Sequence, residues 1–153
     1  MVIGMSDSSL PSRTDSTLCA YMMHSHEHLR DQVTRLLAAM QANARADVTT
    51  LWNDLEHELL NHMEAEERFV LPGFARVDHG EATALLRDHG LIRENLLELG
   101  IALDLHCIRY ERSQQFVDLL LRHAAREERL LYRWAEEHLS PGAAQALKAR
   151  VAA

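Results

Sequence analysis

LLNHMEAEER, residues 59–68, and LLRHAAREER, residues 120–129, agree at six of ten positions, and each sets a glutamate four residues after a histidine, His62 with Glu66 and His123 with Glu127. On an α-helix, residues four apart share a face and lie ~6 Å apart along the axis. Around the first pair Val48, Leu51, Leu55, Leu59 and Val70 keep steps of three and four; around the second Phe116, Leu120, Leu130 and Trp134 do the same. Both stretches therefore read as amphipathic helices whose buried stripe turns polar midway. A single His-x-x-x-Glu carries little weight, because 23 acids among 153 residues give ten histidines one or two such pairs by accident. Taken alone, either pair is most simply a satisfied core pair. Chance does not readily repeat the stretch around it.

The rest of the chain extends the repeat. Met22, His26, Leu29, Val33, Leu36 and Met40 mark one face of a helix over about 17–41, with His26 inside its stripe. The helix of His62 opens near Asp47 and is stopped by Pro72-Gly73. Asp78, followed three residues later by Glu81, predicts a capping box that opens a third helix. This one carries Leu85, His89, Ile92, Leu96, Leu99 and Leu103 and ends around 107–110. A fourth covers about 113–138, and Ser140-Pro141 starts a short final helix. MMHSHEHLRD, residues 22–31, aligns with LLRDHGLIRE, residues 85–94, matching His26 to His89 and Arg30 to Arg93. His26 and His89 are 63 residues apart and His62 and His123 are 61 apart. The chain is thus two copies of a helix pair. The expected fold is all-α: an antiparallel up-down-up-down four-helix bundle with pseudo-twofold symmetry and a short C-terminal helix.

That symmetry brings His26, His62, Glu66, His89, His123 and Glu127 to one level of the core. Two buried carboxylates without partners would cost several kcal/mol each, and a pair of cations bridged by both glutamates, with two histidines apiece, uses all six groups. Glu67 and Glu128, one residue further on, are turned ~100° away and are expected to reach water, Arg68 or Arg129. Arg30 and Arg93 are expected to be solvated at the helix edge rather than paired with outer carboxylates. His24, His28, His57, His79, His106 and His138 read as surface histidines, and Trp52, Tyr132 and Trp134 as core or rim residues.

Composition narrows the function classes. A net charge of −7 with no basic cluster on any face excludes a nucleic-acid partner. No apolar run approaches the roughly 18 residues of a membrane span. Residues 1–16, rich in Ser and without periodicity, read as a flexible N-terminal tail, and residues 17–153 as one domain. Two cysteines, Cys19 and Cys107, are too few for a disulfide scaffold, so the expected setting is a reducing cytoplasm with both thiols inert. Six Gly, three Pro and 5% aromatics point away from an all-β domain.

The order His26, His62-x-x-x-Glu66, His89, His123-x-x-x-Glu127 resembles the hemerythrin-like family, the HHE cation-binding domain, over residues 18–139. The resemblance implies a cofactor of two iron ions, a non-haem di-iron centre with carboxylate and oxo or hydroxo bridges; spacing alone leaves the metal open. It implies as partner a small diatomic or anionic ligand such as oxygen, nitric oxide or azide. Oxygen carriers of the family have a further histidine one turn before the third-helix ligand, where this chain has Leu85, which puts reversible oxygen carriage in doubt. Glu58, one turn before His62, is a candidate extra oxygen ligand, although its counterpart in the repeat is Leu119. The leading reading is a di-iron protein that binds or senses oxygen, nitric oxide or iron. The alternatives are a di-iron oxidoreductase or peroxidase, an iron-centre repair protein, or a metal-stabilised interaction module. Whether there is turnover is left open, since no further acid/base pair marks the site.

Overall fold

The computed structural model describes residues 17–153, and the tail expected over 1–16 lies outside them. Helix α1, Leu18–Gln41, starts where the Thr17 hydroxyl accepts from the Ala20 amide. Helix α2, Arg45–Phe69, gives way at Val70 to a single turn, α3, Leu71–Phe74, with Pro72 near its start. Helix α4, His79–Asp104, is capped as predicted, the Asp78 side chain accepting from the Glu81 amide at 3.0 Å. It ends a little earlier than its apolar pattern suggested.

The chain then runs through α5, Tyr110–Arg126, a π-helical turn, Glu127–Leu131, and α6, Tyr132–His138. Ser140 caps α7, Pro141–Val151. Asn43 and His106 take left-handed backbone angles, φ 54° and 53°, in the corners after α1 and α4. Both are residue types that tolerate that region, and they too are 63 residues apart, so the two halves turn alike.

Around the bundle α1 packs on α2 and α5, and α4 packs on α2 and α5, closing a square; α7 lies across α2 and α1. The chain is an antiparallel helical bundle with a short C-terminal helix. No helix among the described residues is long and apolar enough to cross a membrane. The apolar interior falls into two clusters. One contains Val33, Leu36, Trp52, Leu55, Leu59, Ile92, Leu96 and Phe116, the other Met22, Leu71, Phe74, Leu85, Leu131, Tyr132, Ala135 and Leu147. The six polar stripe residues occur in sequence between members of the two clusters. Each long helix therefore passes from one apolar layer to the other through a polar one.

One expectation is overturned. Leu130 and Trp134 were read as stripe residues, but Leu130 is 44% exposed and Leu131 fully buried. The π-helical turn fits one extra residue into its turn, which rotates everything beyond it by ~100°. The buried stripe moves to Leu131, Tyr132 and Ala135.

Candidate metal centre

His26 comes from α1, His62 and Glu66 from α2, His89 from α4, His123 from α5 and Glu127 from the π-helical turn, and all six are buried. They form two groups: His26, His62, Glu66 and Glu127, and Glu66, His89, His123 and Glu127. Within each group one nitrogen or oxygen per residue lies within 4.8 Å of the others, and both glutamates belong to both groups. Glu66 reaches His62 Nε2 with Oε1 at 2.9 Å and His89 Nε2 with Oε2 at 3.3 Å. Glu127 lies 3.4 Å from His26 Nε2 and 3.2 Å from His123 Nε2 through Oε1. The i,i+4 spacing thus turns each imidazole and its carboxylate inward together.

The outer face of each ring is anchored. His26 Nδ1 pairs with Glu128 at 2.9 Å, His89 Nδ1 with Glu67 at 2.9 Å, His123 Nδ1 with Asp88 at 3.1 Å and His62 Nδ1 with Ser25 Oγ at 2.9 Å. A carboxylate only accepts, so three of these pairs place a proton on Nδ1 and leave Nε2 to face inward; the Ser25 hydroxyl can serve the fourth in the same way. Arg93 donates to both oxygens of Glu67, at 2.7 and 3.0 Å, and Arg30 donates to Glu128 at 2.8 Å. The expectations that Glu67 and Glu128 face water, Arg68 or Arg129, and that Arg30 and Arg93 are merely solvated, are therefore wrong. A ~100° turn takes these glutamates off their own helix's inward face but onto the neighbouring histidine. The residue pattern of one helix does not contain that neighbour.

Electrostatics follow the geometry. Burial lowers the affinity of His89 for a proton, but hydrogen bonds to Glu127, Glu66 and Glu67 overcome it and push its pKa up to about 11. Burial opposes ionisation of Glu67, yet hydrogen bonds from His89 and Arg93 hold it down to about 2. Glu127 lies well below the carboxylate range: burial works against its charge, and the surrounding histidines prevail.

Protons do not satisfy this layer completely. Glu66 Oε2, His89 Nε2, His123 Nε2 and Glu127 Oε2 are buried without a hydrogen bond, approaching one another without the alignment a hydrogen bond needs. Orphaned polar atoms of this kind cost about 1–3 kcal/mol each, and more when charged. Nitrogen and carboxylate donors converging in two groups are a donor set suited to divalent or trivalent metal ions, and a cation would engage all four orphans at once.

The hemerythrin HHE cation binding domain family matches residues 17–135. The chain belongs to the hemerythrin HHE cation-binding family. Neither a curated protein nor a solved structure matched the chain significantly. The family match and the two His/Glu groups together make metal binding the chemistry of this centre.

Two residues stand differently from their sequence reading. Glu58 does not join the hemerythrin-like centre; its carboxylate pairs with His28 at 2.9 Å on the partly exposed outer side of α1 and α2. Tyr132, read as a core or rim residue, places its buried hydroxyl in the centre. Its Oη donates to Glu66 Oε1 at 2.6 Å and lies 2.7 Å from His26 Nε2 and 3.0 Å from His62 Nε2. The one signal in the sequence was its position in the repeat, where Tyr132 stands opposite Leu71. The other histidines expected at the surface, His24, His28, His57, His79, His106 and His138, are exposed.

Proposed function

We propose that this chain is a non-haem di-iron protein that binds or senses a small ligand such as oxygen, nitric oxide or an anion of similar size. The observation that carries the reading is the sharing of Glu66 and Glu127 between two groups of paired histidines, each ring anchored from outside. His26, His62, Glu66 and Glu127 would hold one ion, and Glu66, His89, His123 and Glu127 the other. When bound, two irons would supply one- and two-electron chemistry toward such ligands.

The chain's own residues orient, gate and dry the site. Glu67, Glu128, Asp88 and Ser25 fix the imidazole planes, so little reorganisation accompanies a change in ionic charge. Beside His26, His62, His123 and Glu127 opens an apolar pocket of about 40 Å³, lined by residues including Leu29, Val33, Leu55, Leu59, Met63 and Leu120. Organic ligands need pockets of roughly 300 Å³ or more, so a volume this small favours a ligand of two or three atoms. Its walls exclude bulk water from the histidines.

The test is metal analysis and ligand titration of the full chain expressed with iron available. About two irons per chain and a near-ultraviolet band that shifts with azide or nitric oxide are expected. A single zinc ion, or no metal, would sink the proposal, and sustained turnover of peroxide would move it to the oxidoreductase class.

A further inference from the structure

We infer that Tyr132 supplies a seventh protein ligand, bound through its phenol oxygen to the ion held by His26 and His62. The inference rests on the di-iron reading above and deepens it. Tyr132 Oη lies 2.7 Å from His26 Nε2, 3.0 Å from His62 Nε2 and 2.6 Å from Glu66 Oε1. Those are three of the four residues of one donor group, so the hydroxyl sits among that group's donor atoms rather than behind them. Groups that orient a ligand contact its outer nitrogen, as Glu128 does for His26 and Ser25 for His62. Tyr132 meets both rings on their inner nitrogens.

The placement depends on the π-helical turn Glu127–Leu131. An α-helix would put residue 132 about 500° beyond Glu127, some 140° around from it; the wider turn brings Tyr132 back toward the face of Glu127. Turns of this kind are frequent at functional sites. In the other half of the molecule the matching residue is Leu71, buried in the apolar cluster beyond the site, and there α2 breaks at Val70. The His89 and His123 group therefore has no tyrosine opposite it. The pseudo-twofold repeat is broken at one position, and the two ions become chemically unequal.

On binding, the phenol O–H bond breaks as the metal–oxygen bond forms, and the proton leaves to solvent. An anionic oxygen donor favours the harder, more highly charged ion, so the His26 and His62 side is the more readily oxidised of the two. With Tyr132 on one ion and Leu85 beside His89 on the other, an external ligand meets its open position on the His89 and His123 side.

The sequence has three tyrosines, Tyr21, Tyr110 and Tyr132. The test is visible absorption and resonance Raman spectroscopy of the oxidised, iron-loaded full chain, with iron measured in the same samples. A phenolate-to-iron(III) charge-transfer band with tyrosine ring modes is expected in wild type and in Tyr21→Phe/Tyr110→Phe, where Tyr132 is the sole tyrosine. Tyr132→Phe should lose the band and keep its iron, since six ligands remain. If Tyr132→Phe does not fold, the double variant decides alone. Two irons without tyrosine modes, or modes that survive Tyr132→Phe, overturn the inference and leave the di-iron reading standing. Protein that takes up no iron overturns both.

Discussion

Glu66 belongs to both donor groups and Glu67 to neither, yet Glu67 holds His89 from outside. The two substitutions should therefore separate. Glu66→Ala removes a bridging carboxylate, and the protein should lose both ions. Glu67→Gln keeps a hydrogen-bond acceptor but no charge, and should retain two ions at saturation while binding them roughly 10–100-fold more weakly. Competition with a chelator measures the difference; wild-type affinity in Glu67→Gln would show that the outer pair is idle. Leu85 is fully buried one turn before His89, in the apolar cluster beyond the site. Leu85→His should offer a nitrogen to the ion on that side and weaken azide binding at equal iron content, at a cost of about 2 kcal/mol in lost burial. Unchanged azide affinity and spectrum would mean residue 85 does not face the ions.

Among the helices the π-helical turn has the largest consequence. It lets Glu127 face inward with His123 while Leu131, Tyr132 and Ala135 fill the next layer. Deleting Leu130, which is 44% exposed, should restore α-helical register at the expense of everything beyond it. Residues 131–138 would rotate by ~100°, withdrawing Tyr132 from the site and turning Leu131 and Ala135 out of the core. A buried Leu and Tyr lost together should lower stability by at least 3 kcal/mol. Thermal unfolding measures it. A deletion variant as stable as wild type, with tyrosine modes intact, would show that the turn is incidental.

For the molecule as a whole, the polar layer makes stability depend on pH and metal together. In the metal-free protein the pKa of His89 is raised from 6.5 to about 11. Its contribution to stability is complete below 6.5 and is lost as pH rises toward 11. That of Glu67 is lowered from 4.5 to about 2, so its contribution is present above 4.5 and is lost as pH falls toward 2. Chelated protein should thus be most stable between these limits. A cation takes the place of the imidazole proton, so metal affinity rises with pH. The gap in Tm between loaded and chelated protein should widen from pH ~6 to ~9 as binding strengthens and the metal-free state weakens. A gap that narrows over that range would contradict the assignment of protonated imidazoles to the metal-free state.

The helices, their order and the six inward residues are local properties of the chain, and all were legible in it. Period, caps and stops are set by neighbours within a few residues, as at Thr17, Asp78, Pro72 and Ser140. The repeat added what single motifs could not: a reason for separate helices to carry their polar residues to one level. What lay beyond the sequence was everything decided between helices. Glu67 and Glu128 were one step off the stripe, and only the neighbouring helix puts His89 and His26 in their way. Glu58 was on the right side of its helix by spacing, but His28 on α1 holds it outside. Tyr132 was misplaced because period counting assumes 3.6 residues per turn throughout, and a π-helical turn adds a residue without marking it in composition. Local rules thus determined the bundle and its polar layer, while tertiary packing decided which side chains surround the histidines, because hydrogen bonds between helices depend on rotations and distances that no single helix specifies.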